Sequence, residues 1–218
     1  MADDPRDQTD AGLAARIIPH YEKHAAAWEH DRTFGSGGRL FEQAWLERFL
    51  TLVPPGGHIL DVGCGFGHLA SYVIRQGRRV TGVDSSPTLI ARARERHPDM
   101  DWVVGDMRTF DLAQAGDGAQ RFDGVLAWDS FFHLTADDQR AMFPRFAAHT
   151  LPGGTLMFTS GHIAGVAMGT YQGDPLFHDS LAQDEYRALL AATGFTVVQF
   201  MAQDPDCGGH TVWIAQKR

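Results

Sequence analysis

Ile59-Leu60-Asp61-Val62-Gly63-Cys64-Gly65-Phe66-Gly67 is the most informative segment of this 218-residue chain. It joins an apolar run of strand length, residues 58–62, to glycines at three alternate positions, and a helical pattern follows over residues 66–76. Glycine lets the chain turn sharply and lets a ligand lie against bare backbone at the mouth of a sheet. The order of strand, turn and helix therefore predicts a ligand-binding loop at the carboxyl end of a strand.

The rest of the chain repeats this alternation of short apolar runs and amphipathic segments, which is typical of a mostly parallel sheet with helices on both faces. The further predicted strands are 79–84, 102–105, 124–128, 154–159, 195–201 and 211–215. The further predicted helices follow the caps Ser86 and Thr135 or begin at Ser180, and they end near Arg96, Ala148 and Gly194. The last two strands are too close in sequence for a crossover helix, so we expect them to pair antiparallel. The sequence predicts a doubly wound α/β fold with a seven-stranded, mostly parallel sheet and an antiparallel C-terminal hairpin.

Three regions differ in their patterns. Residues 1–10 carry four aspartates and no apolar period, so we expect a disordered tail. Residues 11–55 show helical periodicity, interrupted at Gly35–Gly38, and are predicted to form an N-terminal helical cap. Residues 56–218 then form the ligand-binding domain, in which the long connection 161–179 is expected to be a lid over the site of the reaction partner.

Composition and charge exclude several classes of protein. Hydrophobic residues make up 44% of the chain, which excludes a disordered protein and allows a buried core. With 27 acidic and 19 basic residues the net charge is −8, the wrong sign for binding nucleic acid or an anionic membrane by bulk electrostatics. No apolar run approaches the roughly 18 residues of a membrane span, and the N-terminus is acidic, so a cytoplasmic location is expected. The two cysteines, Cys64 and Cys207, belong to no zinc motif and are expected to be reduced.

The residues around the glycine loop restrict the ligand. Asp84 ends the second predicted strand 23 residues after Asp61, at a place where a carboxylate can accept hydrogen bonds from ribose hydroxyls. A dinucleotide site has glycine at the sixth position of the loop, where this chain has His68. Asp61 would repel a pyrophosphate, but it suits a ligand that carries an ammonium and a sulfonium. The pattern favours an adenosine-containing ligand other than a dinucleotide.

With these residues, the chain from about residue 56 to its end resembles the class I S-adenosylmethionine-dependent methyltransferases. Asp61 with the three glycines is similar to the first motif of that family, and Asp84 is similar to its ribose-binding acid. The resemblance implies a Rossmann-like fold and S-adenosylmethionine as cofactor. The cofactor-binding residues that the loop and the resemblance together imply are Tyr21, Asp61, Gly63, Cys64, Gly65, Gly67, Asp84, Ser85, Asp106, Met107, Trp128 and Asp129.

The resemblance also implies roles for individual residues. Asp106 and Met107 are similar to the pair that brackets adenine, and the segment 122–128 is similar to the fourth-strand motif whose end faces the methionine part. Tyr21 is similar to the lid tyrosine of a helix before the first strand. Asp129 either hydrogen-bonds the methionine group or stabilises its loop.

Three histidines leave alternatives open. His133 follows the fourth strand and is either a general base for the reaction or a packing residue. His20 and His24 are four residues apart on a helix, a spacing that can serve a metal, but no third ligand is indicated nearby, so no metal site is predicted.

The glycine loop and the resemblance together predict the function, which is transfer of a methyl group from S-adenosylmethionine to a small-molecule acceptor. A small apolar or aromatic acceptor is expected because the cap and the 161–179 connection supply Trp28, Phe34, Tyr171 and Phe177. One alternative is a regulator that binds S-adenosylmethionine without turnover. The other is a nicotinamide-linked oxidoreductase, which His68 disfavours.

Overall fold

Nine strands and eight helices follow one another in the part of the chain that the computed structural model describes, which is residues 9–34, 40–110, 112 and 120–218. The strands are β1 (His58–Val62), β2 (Arg79–Asp84), β3 (Asp101–Val104), β4 (Phe122–Ala127), β5 (Thr150–Ser160), β6 (Ala167–Tyr171), β7 (Asp174–His178), β8 (Phe195–Asp204) and β9 (His210–Lys217). The helices are α1 (Asp10–Ala15), α2 (Ile17–Lys23), α3 (Ala25–Phe34), α4 (Gln43–Thr51), α5 (His68–Arg75), α6 (Pro87–Arg96), α7 (Ala136–His149) and α8 (Gln183–Ala192).

Seven strands form one sheet in the order β3-β2-β1-β4-β5-β9-β8. The first five of these run parallel, and β9 pairs antiparallel with both β5 and β8. The chain moves outward from β1 to β3 and then returns to the other side of β1 at β4. The carboxyl ends of β1 and β4 therefore flank a topological switch point, where doubly wound sheets bind their ligands.

The structure confirms the predicted seven-stranded fold and its C-terminal hairpin. Two strands, β1 and β2, and the helix α6 have the predicted bounds, and the side chains of Ser86 and Thr135 cap their helices as expected. The strand β5 begins at Thr150 rather than Gly154, because a register shift lets Thr150 pair with Phe122. The last helix begins at Gln183 rather than Ser180.

The connection 161–179 contains a regular element that the sequence analysis missed. Strands β6 and β7 pair antiparallel around Gln172 and Gly173, and both of these turn residues have positive φ, as two-residue hairpin turns require. We refer to residues 167–178 as the hairpin. It packs against α1 and α2.

The N-terminal region divides into two parts by its packing. Helices α1 to α3 lie over one end of the sheet, whereas α4 packs in the core with Trp45, Leu46 and Phe49 buried. Most of the predicted tail, residues 1–8, lies outside the described residues, and so does the predicted break at 35–38. In the described part, α1 begins at Asp10, where the side chain of Thr9 caps it.

Two apolar layers hold the sheet, one on each face. One layer places α4, α5 and α6 against the sheet, and the other places α7 and α8 against it around Phe131, Phe158 and Trp213. Burying one such aromatic side chain contributes about 1.5–3 kcal/mol, so these layers fix the strand ends that carry the site. Among the described helices, none has both the length and the apolar composition needed to cross a bilayer.

Candidate functional site

A deep cavity opens at the carboxyl ends of β1, β2 and β4, beneath the helices α1, α2 and α3. It encloses about 1040 Å³ of empty space, part of which is open to solvent. The predicted site residues that line it are Tyr21, Asp61, Gly63, Cys64, Gly65, Asp84, Ser85, Asp106, Met107, Trp128, Asp129 and His133. The sequence analysis thus selected residues that the fold brings together at one place.

The three glycines of the loop differ in what they do. A Cβ atom on Gly63 would lie 2.2 Å from the Cβ of Ser130, so this position admits no side chain. Gly65 faces open space: among the described residues, a Cβ on Gly65 would have only the indole nitrogen of Trp28 within 4 Å, at 3.8 Å. Gly67 does not line the cavity; a Cβ there would lie 2.9 Å from the ring of Trp102, so Gly67 permits close packing of α5 on the sheet.

The carboxylate of Asp61 lies buried on the cavity wall at the end of β1. Within the described residues its side chain has no hydrogen-bond partner. Burial, with the nearby charge of Asp84, raises the pKa of Asp61 to about 7. An unpaired buried carboxylate favours a cationic ligand, because a positive charge nearby stabilises the ionised form and lowers its pKa.

Asp84 connects the glycine loop to the start of α6. Its Oδ2 accepts the backbone N–H of Gly65 at 2.9 Å, and its Oδ1 accepts that of Ser86 at 2.8 Å. Burial raises the pKa of Asp84, and these two hydrogen bonds partly offset that effect. Each carboxylate oxygen has a second acceptor position, so Asp84 can also accept two hydroxyl groups from the cavity.

Asp106 and Met107 lie on the wall beside β3, as predicted, but Asp106 already has a partner. The guanidinium of Arg108 donates to both of its carboxylate oxygens, at 3.0 and 2.5 Å. This hydrogen bonding lowers the pKa of Asp106, so the group is ionised near neutral pH. A ligand amine at Asp106 would share the carboxylate with Arg108, a residue that the sequence analysis missed.

Asp129 lies where the chain leaves β4, in a backbone conformation that is unusual for a residue with a side chain, φ +48°. Its Oδ1 lies 2.7 Å from Nε2 of His210, and its Oδ2 lies 3.4 Å from the guanidinium of Arg32. Burial opposes the ionisation of Asp129, but the bond from His210 and both positive charges outweigh it and lower its pKa. Asp129 is therefore an ionised, fully paired carboxylate that orders the loop after β4.

His210 carries the matching positive charge. Although burial disfavours a charged imidazole, the hydrogen bond to Asp129 raises the pKa of His210 to about 11. Its Nδ1 also donates, to the carbonyl oxygen of Cys207 at 2.5 Å. Two donating nitrogens require the protonated form, so the geometry agrees with the direction of the pKa shift.

Arg32 is the main site residue that the sequence analysis left without a role. It extends from α3 to the cavity wall and is held there by the buried carboxylate of Glu42 as well as by Asp129. Its guanidinium lies 5.6 Å from the ring centre of Trp28, one turn earlier on the same helix. No local signal identifies this cluster, because Arg32 and Asp129 are far apart in the sequence.

Both ring nitrogens of His133 are occupied. Nδ1 lies 2.7 Å from the carbonyl oxygen of Phe177, and Nε2 lies 2.9 Å from the hydroxyl of Tyr21. Because a carbonyl only accepts, Nδ1 carries the proton and Nε2 accepts the Tyr21 hydroxyl. Burial lowers the pKa of His133 to about 4, so the ring is neutral. In this arrangement a proton from a reaction partner reaches His133 only through Tyr21.

The sequence predicts that the connection 161–179 is a lid. No residue of 161–179 lines the main cavity within the described structure; the hairpin packs behind the cap helices instead. Of the aromatic residues expected around an acceptor, Trp28 lines the cavity, but Phe34 is 65% exposed. Tyr171 packs edge-on against Trp28, and Phe177 is buried behind His133. Trp28 is therefore the one of these four that a ligand in the cavity would contact.

Residues 59–154 match a family model described as a methyltransferase domain. Over 103 residues, 45% of this chain and 41% of the relative, the sequence is 37% identical to a malonyl-(acyl-carrier protein) O-methyltransferase of Pectobacterium atrosepticum. Over 122 residues, 51% of this chain and 46% of the relative, it is 34% identical to a dTDP-3-amino-3,6-dideoxy-alpha-D-glucopyranose N,N-dimethyltransferase of Streptomyces fradiae. The chain thus spans less than half the length of these curated relatives.

One solved structure matches along the whole chain. The 1,6-didemethyltoxoflavin-N1-methyltransferase of Burkholderia thailandensis aligns with a TM-score of 0.68 and 23% identity, over 100% of this chain and 92% of that one. At this identity the likeness shows the fold alone. The aligned region includes the residues before β1, which the family match does not cover.

Proposed function

We propose that this protein transfers a methyl group from S-adenosylmethionine to a small-molecule acceptor, as a class I methyltransferase does. The match of residues 59–154 to the family model of a methyltransferase domain supports this proposal. The observation that carries the proposal is the unpaired carboxylate of Asp61, beside the side-chain-free surface of Gly65 and the ribose-type acceptor Asp84. These three features fit a ligand with a cationic end, a flat central part and vicinal hydroxyls.

Several polar groups in the cavity fit S-adenosylmethionine. Asp61 offers a negative charge for its ammonium and sulfonium, and Asp84 offers two acceptor positions for its ribose hydroxyls. Arg32, already paired with Glu42 and Asp129, can donate a further hydrogen bond to a ligand carboxylate. The indole N–H of Trp128 is buried with no partner among the described residues. When bound, S-adenosylmethionine supplies a methyl group that positive sulfur has already activated.

The residues of this chain contribute by placement. In the transfer, the lone pair of the acceptor atom would form the bond to the methyl carbon as the carbon–sulfur bond breaks, and the electron pair of that bond would stay on sulfur. The proton of an O–H or N–H acceptor would pass to water in the open part of the cavity. Such a displacement is fast when the reacting atoms are held in line at about 3–3.5 Å. The cap supports this by forming part of the cavity wall: Tyr21 and Trp28 both line it, with ring centres 5.2 Å apart.

We propose an acceptor with an oxygen or nitrogen nucleophile on a small, partly apolar framework. The relatives named above include an O-methyltransferase and an N,N-dimethyltransferase, which supports both atoms. The wall around the cap is aromatic and apolar, with Ile17, Ile18 and Trp28, which supports the apolar framework. The net charge of −8 argues against a nucleic-acid acceptor.

Calorimetry with S-adenosylmethionine, S-adenosylhomocysteine and NAD tests the ligand. We expect the first two to bind and NAD to fail. Asp84→Asn should weaken binding about 100-fold, since it loses a charge that accepts hydroxyl hydrogen bonds. The matched control is Asp101→Asn, an exposed carboxylate on the neighbouring strand β3, and it should bind as the wild type does. Binding of NAD alone would contradict the proposal.

Turnover is tested separately, as release of S-adenosylhomocysteine over a panel of phenols, carboxylic acids, amines and amino sugars. We expect release with at least one acceptor class, and a much slower release from Asp84→Asn at a cofactor concentration near the dissociation constant of the wild type. Tight binding of S-adenosylmethionine with no turnover across the panel would instead support a regulator that only binds the cofactor.

A further inference from the structure

Two histidines of the cap and one aspartate of the hairpin meet at the back of the cap. His20 lies on α2, His24 follows its last residue, and Asp174 begins β7. One ligand atom from each of the three residues lies within 4.8 Å of the others. The sequence indicated only the histidine pair; the fold brings in Asp174 from 150 positions further along the chain.

We propose that His20, His24 and Asp174 bind one divalent transition-metal ion of the zinc type, which joins the cap helix α2 to strand β7 of the hairpin. Two imidazoles and one carboxylate are ligands that Zn²⁺ prefers, at about 2.0–2.2 Å. Three protein ligands leave a fourth position for water. The proposal concerns a site outside the cofactor cavity and does not depend on methyl transfer.

The distances suit a site that is nearly assembled. Nε2 of His24 lies 2.8 Å from Oδ2 of Asp174, and Nδ1 of His20 lies 4.0 Å from the same oxygen. The imidazole rings have centres 4.8 Å apart. Around a tetrahedral ion with these bond lengths, the ligand atoms are roughly 3.3 Å apart. Small side-chain rotations would bring the three donor atoms to that separation.

His20 is the residue that hydrogen bonding alone does not explain. It is 6% exposed, its Nε2 is buried, and its ring has no hydrogen-bond partner among the described residues. A pair between His24 and Asp174 would stand without His20. In the proposed site Nδ1 of His20, the nitrogen on the side of Asp174, is the third ligand.

One competitor for Asp174 is already present. Nζ of Lys23 lies 2.7 Å from Oδ2 of Asp174, but the lysine side chain is 63% exposed. An exposed ion pair of this kind contributes little to stability. A metal ion can therefore displace Lys23, whose ammonium returns to solvent.

An ion also has a route to the site. A second cavity, with about 600 Å³ of empty space partly open to solvent, lies between α1, α2 and the hairpin, and both His20 and Asp174 line it. The bound ion would act on the main cavity through neighbours in the sequence. Tyr21 follows His20 on α2, and Phe177 on β7 accepts the hydrogen bond of His133.

The test uses the full chain without an affinity tag, stripped with a chelator and dialysed against Zn²⁺. We expect one equivalent of zinc by elemental analysis. His24→Ala and Asp174→Asn should each weaken binding on the order of 100-fold, because each removes a ligand. The matched control is His30→Ala: His30 is exposed on α3, and its Nδ1 lies 3.4 Å from a carboxylate oxygen of Asp31, so it is a histidine–carboxylate pair without a third partner.

Two further measurements keep the test decisive if a variant is unstable. The melting temperature of each variant is recorded without metal, so that loss of zinc through unfolding is recognised. Wild-type protein loaded with Co²⁺ should show the visible absorption bands of a four-coordinate ion. The proposal would be overturned if the wild type bound no zinc, if both ligand variants bound zinc as tightly as the wild type does, or if the cobalt bands were absent.

Discussion

The hydroxyl of Tyr21 lies 2.9 Å from Nε2 of His133, a contact between residues 112 positions apart. It joins the cap helix α2 to the loop after β4. Because Nδ1 of His133 donates to the carbonyl oxygen of Phe177, the same ring also holds the hairpin. His133 thus connects three separate elements around one wall of the cavity, which favours a positioning role for it.

We expect Tyr21→Phe and His133→Ala to act as one unit on turnover. If His133 works by holding Tyr21, each variant lowers kcat/KM about fivefold, the effect of one neutral hydrogen bond of about 1 kcal/mol. The double variant should then be no slower than the slower single variant. Multiplied effects in the double variant would contradict this and would favour an independent general base. Tyr72→Phe, which removes a hydroxyl bonded to Glu47 away from the cavity, is the control and should have wild-type kinetics.

Affinity for S-adenosylmethionine should rise with pH through the titration of Asp61. Its pKa is raised to about 7, so below pH 7 a ligand cation must first displace a proton, and above pH 7 it need not. From pH 6 to 8 we expect the ratio of wild-type to Asp61→Asn affinity to increase roughly tenfold. Calorimetry at both pH values measures this ratio, and any titration of the ligand itself cancels in it. Asp99→Asn, at an exposed carboxylate, should show no such change, and a ratio independent of pH would contradict the assignment.

The pair of Asp129 and His210 should make the protein less stable as pH rises, whereas the affinity that depends on Asp61 increases with pH. The folded-state pKa of His210 is raised to about 11, so its contribution to stability is complete below the unfolded value near 6.5 and is lost as pH rises toward 11. His210→Gln should therefore destabilise the protein by roughly 2 kcal/mol at pH 6 and by less at pH 10. Urea unfolding at both pH values checks this. A loss of equal size at both would mean that His210 is neutral in the folded state.

Local signals account for what the sequence predicted well. The caps Ser86 and Thr135, the glycine loop and the acid Asp84 each act within one strand, turn and helix, so their patterns are visible in a short segment. The hairpin was missed because its strands are short and partly exposed, as Met168 shows with 48% exposure, so they lack a strong apolar alternation.

The parts of the site that escaped prediction are long-range. Arg32 contacts Asp129 and Asp174 contacts His24 only after the sheet has brought distant segments together. The chain neighbours of these residues show no motif that would indicate either contact. Residue type and spacing can nominate a candidate such as His24, but the third partner depends on tertiary packing.

Gly63 offers a sharp test of the loop, because Gly77 is a matched control. Both have positive φ, +74° and +76°, but a Cβ on Gly63 would lie 2.2 Å from Ser130, whereas nothing lies within 4 Å of one on Gly77. Gly77→Ala should cost about 1 kcal/mol, the strain of a left-handed residue. Gly63→Ala should cost more than about 3 kcal/mol by urea unfolding, since overpacking adds to that strain. Ser130→Gly removes the clashing atoms and should recover part of the difference when combined with Gly63→Ala; equal costs for Gly63→Ala and Gly77→Ala would show that the loop moves freely away from Ser130.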